Sequence, residues 1–333
     1  MKNFEYAQPQ NVSQLLSLLS PEPEKTALLG GGTDLIGLMK NNVMAPDRVV
    51  NLCEVEELRD VEYIPAENVI AVGTALRLAE LHEHELLGDY RALHQAICGT
   101  RSQQFQSQST LGGELCRRPR CWYFREGHGL LADNGQMVEK GDNRYHAIFD
   151  NAGPAKFVSA SRLAPALIAL NAKAVLVGPE SDYVQVIALE DLYQTPTDER
   201  QRETILRPNQ LLAQILLPTD VPTTTASYEV RHGEGPDDPL TAAAASLTID
   251  GGVVREAKIV LGQVAPTPIV STAAAKVLIG QAVDADVAER AGRAAVAGAT
   301  PLSGNEYKVQ LAEVAVTRAI LKAAGLPTGG FDG

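Results

Sequence analysis

Short apolar runs alternate with segments of helical periodicity in the N-terminal third of the chain. The run "KTALLG" is apolar enough for a buried strand, and the apolar residues of "DLIGLMK" after it recur at helical spacing. "RVVNLCEV" and "NVIAVGTAL" have the pattern of further strands, and "RLAELHEHELLGDYRALHQAICG" is predicted to be one helical stretch. Strands that alternate with helices in this way are typical of an α/β domain.

The segment 107–157 follows neither period over most of its length. It is polar and rich in glycine, and loops of this length in compact domains are usually functional or disordered. Its aromatic residues predict that it packs against the rest of the protein: Trp122, Tyr123, Phe124, Tyr145 and Phe149. After it, the alternation of helix and strand resumes and continues to "QLLAQILLP".

The C-terminal third has a pattern of its own. The stretch "PTDVPTTTAS" at 218–227 is the predicted linker, because proline interrupts both helix and strand. Beyond it, two strand-like runs are joined by Asp250-Gly251-Gly252, a hairpin signal, and two Ala-rich helical stretches follow. This order predicts a compact α+β domain.

Composition narrows the class of protein. The 333 residues are 45% hydrophobic and 21% charged, as in a soluble globular chain of two or three domains. The formal net charge of -12 has the wrong sign for binding nucleic acid. Four cysteines are too few for a disulfide scaffold. With no signal-like start and no apolar run of about 18 residues, we expect a cytoplasmic protein without membrane insertion.

Candidate chemistry begins with three glycines, Gly30 to Gly32, between the first predicted strand and helix. Neither the Rossmann nor the P-loop spacing is present. Backbone N–H groups at such a turn can still bind a pyrophosphate, with the Thr33 hydroxyl beside them, although a tight turn explains the glycines equally well. Asp34 falls in the first turn of the predicted helix, as a cap or a partner of its dipole. A second glycine pair, in "STLGGE" at 109–114, has the same character, and together they predict two walls of one elongated site.

Three segments together resemble the FAD-binding (medium) subunit of molybdenum hydroxylases, the group that contains xanthine, aldehyde and carbon monoxide dehydrogenases. "LLGGGTDLIGLMK" is similar to the A-G-G-T-D-L-L loop of that family, and "STLGGE" to its T-I-G-G-N loop. "VLGQVAPTPIVSTAAAKVLIG" resembles its G-G-V-A-P-T-P segment. The resemblance runs along the whole chain in the family's order.

The resemblance implies a two-domain architecture of mixed α/β and α+β class. Residues 1–220 would form a FAD-binding domain of the PCMH type, with subdomains at 1–57 and 58–220 and an irregular insertion at 115–157. Residues 221–330 would form an α+β domain of the CO dehydrogenase flavoprotein type. The implied function is electron transfer through FAD, from iron-sulfur centres of a partner to NAD, oxygen or a quinone. The implied partners are a molybdenum-cofactor large subunit and a two-iron small subunit, and export with a partner stays open.

The family's cofactor contacts carry over to named positions of this chain. Leu212 falls where the family packs an apolar residue near the adenine or flavin, and a core leucine is the alternative. No catalytic residue is predicted, since no nucleophile or acid-base pair is visible and the chemistry would belong to the cofactor. The implied FAD-binding residues are Leu28, Leu29, Gly30, Gly31, Gly32, Thr33, Asp34, Leu35, Ser109, Thr110, Gly112, Gly113, Glu114, Arg162 and Leu212.

The sequence departs from the family pattern at three of its positions. Arg162 replaces a carboxylate, Glu114 replaces an asparagine, and Glu229 or Val230 replaces a lysine. We expect Arg162 either to reach a phosphate or to lie on the solvated surface. The departures leave open a scaffold subunit without flavin, and a stand-alone flavoprotein oxidase of the same fold is a second alternative.

The insertion resembles the "RCWYF" and "NRYHAI" segments of medium subunits that carry a four-iron cluster there. Such a cluster needs four thiolates, and the insertion offers only Cys116 and Cys121, so neither a cluster nor any other metal site is expected. A Cys2His2 zinc site with His128 and His146 would lack a recognised ligand spacing.

Overall fold

In the computed structural model of the chain, which describes residues 1–180, 183–222 and 224–329, the strands form three separate sheets. The first is a three-stranded sheet with the order β1-β3-β2, and both of its pairs are parallel. Helix connections between parallel strands confirm the α/β prediction for this part of the chain. Its elements are β1 (Glu5–Ala7), α1 (Val12–Leu18), β2 (Thr26–Leu29), α2 (Leu35–Lys40) and β3 (Arg48–Asn51).

The second sheet has five antiparallel strands in the order β4-β5-β8-β6-β7. The predicted single helical stretch at 77–99 is wrong in detail: it is two α-helices separated by a 3-10 turn, Glu85–Leu87, because the backbone is extended at His84. The elements are β4 (Val61–Ile64), β5 (Val69–Gly73), α3 (Leu78–Glu83), α4 (Arg91–Gly99), α5 (Gln103–Gln108), α6 (Leu111–Leu115), α7 (Trp122–Arg125), α8 (Gln136–Lys140), α9 (Leu163–Ala169), β6 (Lys173–Val177), β7 (Val184–Ala188) and β8 (Leu211–Pro218); two further 3-10 turns span Glu56–Leu58 and Leu189–Leu192.

The third sheet is four-stranded and antiparallel, with the order β12-β11-β10-β9. The predicted hairpin is confirmed: Gly251 and Gly252 have φ angles of 59° and 80°, as a two-residue turn of this kind requires. The predicted linker is shorter than 218–227, because β8 and β9 take up both of its ends. The elements are β9 (Thr224–Val230), β10 (Thr241–Asp250), β11 (Val253–Gly262), β12 (Ile269–Val270), α10 (Thr272–Leu278), α11 (Ala285–Val296) and α12 (Tyr307–Ala323), three helices where two stretches were predicted.

Helix α9 joins the second and third sheets. All seven of its residues are buried, because it packs on α4 and on strands β10 and β11 of the C-terminal sheet. A Cβ on Gly262 would lie 2.6 Å from Cγ of Pro165 in this helix, so the strand approaches the helix at a distance that only glycine permits. The two sheets therefore share one packed boundary.

The insertion packs against helix α2, beside the first glycine loop. Phe124 and Phe157 form a hydrophobic core there with Leu38 of α2 and Met44. This confirms that the insertion is packed, with the exception of Tyr145, whose side chain is exposed. The insertion thus closes one side of the first glycine loop.

Buried polar groups attach the insertion to the C-terminal part of the chain. Lys308 is 1% exposed, and its Nζ donates to the carbonyl oxygens of Tyr145, His146 and Gln263 at 3.2, 3.1 and 2.9 Å. Asn305 Nδ2 donates to the carbonyl of His146 at 3.0 Å. Burial lowers the pKa of Lys308 to about 7. Within the described ranges, no helix combines the length and apolar character that crossing a bilayer requires.

Candidate functional site

A cleft of about 220 Å³ lies where strand β2, the second glycine segment and the chain at 202–212 meet. Most of the residues that the sequence singled out line it. They are Leu28, Gly30, Gly31, Gly32, Thr33, Asp34, Leu35, Thr110, Gly112, Gly113 and Leu212.

The two glycine segments touch one another. A Cβ on Gly31 would lie 1.5 Å from the carbonyl oxygen of Gln108, and one on Gly30 would lie 2.4 Å from Oγ1 of Thr110. Gly32 has a φ of 73°, a conformation that side chains disfavour. The glycines are therefore required by contact between the two segments and by the turn, whether or not a ligand approaches.

Asp34 does not cap helix α2, contrary to one reading of its position. It is the N-cap residue, yet its side chain accepts no hydrogen bond from the helix. Its carboxylate instead accepts from the N–H of Arg118 at 2.9 Å and from the guanidinium of Arg125 at 2.7 Å. Asp34 thus fixes the start of the insertion beside the cleft.

A second, smaller cavity of about 60 Å³ adjoins the cleft, with which it shares Thr33 and Arg117. Of the remaining predicted residues, Ser109, Glu114 and Arg162 line this cavity, and Leu29 lines neither. Thr33 Oγ1 and Ser109 Oγ are 3.0 Å apart and form a hydrogen bond between the glycine segments.

Arg162 is buried, so the solvated-surface reading is wrong. It is 4% exposed, and its guanidinium donates to the backbone carbonyls of Gly99 and Asp237. Its Nε lies 3.7 Å from a carboxylate oxygen of Glu229, so two of the departures from the family pattern contact each other. Its N–H donates to Glu114 at 2.9 Å, and burial raises the pKa of that carboxyl although Arg117 and this bond oppose the shift.

Four arginines, at 117, 118, 202 and 207, line the cleft of a chain whose net charge is negative. Burial alone would lower the pKa of Arg117, but Glu114, Asp238 and Asp34 outweigh it and raise the pKa. The cleft lining also contains the carboxylates Glu24, Asp34 and Glu203, so its arginines are partly neutralised. Another part of the cleft wall is apolar and consists of Leu28, Leu35, Leu38, Met44, Leu52, Leu115, Leu206, Leu211 and Leu212.

Leu212 is 3% exposed in the core of the second sheet, as the core-leucine alternative predicts, and it also lines the cleft. The chain at 202–208 and Tyr193 were missed, because they lie in irregular structure far along the sequence from both glycine segments. The available signal was the occurrence of Arg202 and Arg207 in an acidic chain. Tyr193 donates its hydroxyl to the carbonyl of Leu115 at 3.1 Å, and burial raises its pKa well above the ordinary value.

The cysteines of the insertion do not converge. Cys116 lines the cleft, where burial raises the pKa of its thiol to about 12. Cys121 is buried, with Sγ 3.1 Å from Nε2 of His146, and burial lowers the pKa of that imidazole to about 4. Among the described residues, no group of three or more His, Cys, Asp or Glu side chains is placed to hold a metal ion.

The cleft suits a ligand that is part planar and apolar and part anionic. Its leucine wall can cover ring systems, and its arginines can bind phosphate. FAD has both parts, so the residues present fit that cofactor.

Solved structures share the fold over nearly the whole chain. Quinoline 2-oxidoreductase from Pseudomonas putida 86 superposes with a TM-score of 0.76 and covers 97% of each chain, at 20% sequence identity. An identity this low establishes the fold alone.

The family profiles identify a cofactor-binding subunit of an oxidoreductase, for which the cleft is the candidate site. The family profile described as the FAD binding domain in molybdopterin dehydrogenase matches residues 2–220, and that of the CO dehydrogenase flavoprotein C-terminal domain matches 226–323. The chain therefore belongs to the molybdopterin dehydrogenase FAD-binding family, the flavin-binding subunits of molybdenum hydroxylases, which confirms the resemblance.

Relatives match along most of their length. The carbon monoxide dehydrogenase medium chain of Afipia carboxidovorans is 27% identical over 327 residues, 96% of each protein. The aldehyde oxidoreductase FAD-binding subunit PaoB of Escherichia coli is 27% identical over 273 residues, 80% of this chain and 83% of that protein.

Proposed function

We propose that this chain is the electron-transfer subunit of a heteromeric molybdenum hydroxylase and passes electrons from a partner's iron-sulfur centres to an external acceptor. The observation that carries the proposal is the single cleft in which both glycine segments, an apolar wall and a cluster of arginines meet. When bound, FAD supplies the redox chemistry, so the protein needs no nucleophile or acid-base pair.

The chain's own residues bind and orient. The leucines would exclude water from the rings, the backbone of the first glycine segment and the arginines would hold the phosphates, and Asp34 keeps the insertion against the cleft. The second cavity, with Glu114 and Arg162, places fixed charges beside the cleft that would tune the cofactor electrostatically.

The partners we propose are a molybdenum-cofactor large subunit and a two-iron small subunit, with NAD, oxygen or a quinone as acceptor. The support is that relatives are named as a medium chain and as a FAD-binding subunit. We also propose that the chain divides into domains at 1–220 and 221–330, that it carries no four-iron cluster, and that it is cytoplasmic.

The first test is the visible spectrum of the purified chain, with released cofactor identified after denaturation and iron assayed on the same sample. We expect stoichiometric FAD without iron. A protein that stays colourless after addition of FAD would favour the scaffold alternative. If the chain purifies alone and a small substrate reduces its flavin directly, the stand-alone oxidase is favoured instead.

A further inference from the structure

Arg202 stands on a fixed part of the cleft wall. Its carbonyl accepts a hydrogen bond from Nε2 of Gln194 at 3.1 Å, and the carbonyl of Glu203 accepts one from the N–H of Gln194 at 2.9 Å. Tyr193 and Thr204 form a β-bridge beside these bonds. The backbone from which the Arg202 side chain extends is therefore held in place before any ligand binds.

Arg202 is unlike the other arginines that line the cleft. Its guanidinium has no hydrogen bond or ion pair with any residue that the structure describes. Each of the others has an ion pair or a ring contact: Arg117 pairs with Asp238 at 3.0 Å, Arg118 with Glu203 at 2.9 Å, and Arg207 lies over the ring of Tyr183, 5.0 Å from its centroid. Nη1 of Arg118 is buried without a hydrogen-bond partner, although Nε of the same guanidinium is paired.

The surroundings of Arg202 compensate its charge only in part. Burial lowers its pKa, and the nearby positive charge of Arg118 lowers it further, while Glu203 and Glu24 act in the opposite direction. Glu203 already pairs with Arg118. Because a guanidinium keeps its proton at neutral pH, Arg202 remains a half-buried cation without a close partner among the described residues.

We propose that Arg202 binds the diphosphate of FAD through charge-assisted hydrogen bonds. This rests on the proposed function, since it assumes that FAD occupies the cleft. The diphosphate is the negatively charged part of the cofactor, and the planar fork of a guanidinium matches phosphate oxygens. An acidic protein repels such an anion over long range, so a local cation is needed at the point of contact.

The test compares FAD affinity of the full-length, flavin-free chain and its variants by fluorescence titration. Arg202→Gln is expected to weaken FAD binding about 10- to 100-fold, as loss of one charge-assisted hydrogen bond would, and Arg202→Lys is expected to lose less. Arg200→Gln is the matched control, because Arg200 is two residues away, exposed and outside the cleft. Its FAD affinity should equal that of the wild type.

Two further readouts separate this role from a structural one. The affinity of the wild type should fall with added KCl, and that of Arg202→Gln should fall less, because a screened contact has been removed. The flavin-free Arg202→Gln chain should melt no lower than the wild type, since it loses an unpaired cation.

The outcomes are distinguishable from those of the proposed function. If the wild type binds no FAD, the proposed function fails first. If the wild type binds FAD and Arg202→Gln binds it as tightly as the Arg200→Gln control, or with unchanged salt dependence, the assignment of Arg202 is overturned alone.

Discussion

Lys308 and Arg202 are both basic side chains largely removed from solvent, and they differ in their hydrogen-bond partners. Lys308 is 1% exposed, and its ammonium donates to three backbone carbonyls. The guanidinium of Arg202 has no such partner in the described structure and lines an open cleft. The first side chain joins the insertion to the C-terminal helix α12, whereas the second lines the cleft.

The difference teaches how to separate a structural charge from a binding charge. A buried polar group costs free energy unless it is hydrogen-bonded, so folding selects complete partners where the group only supports structure. A group left incomplete on the wall of a cleft is stabilised when a ligand completes it. Substitution of Lys308 should therefore lower stability, whereas substitution of Arg202 should lower FAD affinity and leave stability unreduced.

The largest effect should follow removal of Lys308. Lys308→Ala is expected to lower the free energy of unfolding by about 3 to 5 kcal/mol, because three carbonyls lose their donor and the side-chain stem leaves a cavity. Urea denaturation measures the change.

Lys308→Met separates the two parts of that loss. Methionine retains most of the buried stem volume but donates no hydrogen bond, so its loss should be smaller than that of alanine. An alanine variant as stable as the wild type would show that the three carbonyl contacts contribute nothing, and the comparison with Arg202 would fail.

The stability of the protein should depend on pH through His146. Burial lowers the pKa of His146 from 6.5 to about 4, and the charge of Lys308 adds to this shift while Asp142 opposes it. The unfolded imidazole binds a proton below its ordinary pKa and the folded one does not. The contribution to stability is therefore complete above pH 6.5 and is lost as pH falls from 6.5 to 4, by about 3 kcal/mol in all.

Denaturation of the wild type and of His146→Gln at pH 7 and at pH 4.5 tests this assignment. The glutamine variant should show the smaller difference between the two pH values. His128→Gln is the control, since His128 lies exposed in the same insertion and should keep the wild-type dependence. Equal pH dependence in all three proteins would assign the acid sensitivity to other groups. Titration of Lys308 contributes little to the difference in stability between pH 7 and pH 4.5, because its effect falls between about pH 7 and 10.5.

Much of the fold was predictable because local patterns and tertiary structure agree. Strand β2, helix α2 and the Asp250-Gly251-Gly252 hairpin lie where periodicity and turn residues place them. The helical stretch at 77–99 failed because the backbone becomes extended at His84, where neither proline nor glycine marks a break. Gly88, which ends the 3-10 turn between the two helices, was the available signal.

The site was predictable only where a short motif lies in it. The glycine segments carry their own signal, and both line the cleft. The sequence showed Glu114, Arg162 and Glu229 only as separate departures from the family pattern. Their contact could not be predicted, because positions 162 and 229 meet only through the packing of α9 on the C-terminal sheet. Arg202 gave still less signal, since what distinguishes it is a partner that is missing in three dimensions.

The smallest effects are expected for two glycines, Gly31 in the first glycine loop and Gly37 in helix α2. Their substitution tests whether contact between the two glycine segments contributes to stability. Gly31→Ala places a Cβ 1.5 Å from the carbonyl oxygen of Gln108, so the glycine segments must separate. We expect a loss of stability of about 1 to 3 kcal/mol together with weaker FAD binding.

Gly37→Ala provides the matched control six residues further along. Its Cβ meets nothing within 4 Å, and Gly37 lies inside helix α2, where alanine is the better helix former. Stability should rise by about 0.5 to 1 kcal/mol with FAD affinity unchanged. Thermal melts and FAD titrations of both variants decide the matter. If Gly31→Ala were tolerated as well as Gly37→Ala, contact between the segments would not explain the glycines, and their conformational freedom would have to be assigned to approach of the cofactor. If only Gly37→Ala is tolerated, the contacts of the glycine segments, like those of Lys308, are complete without a ligand. Arg202 is then a part of the cleft that a ligand would complete.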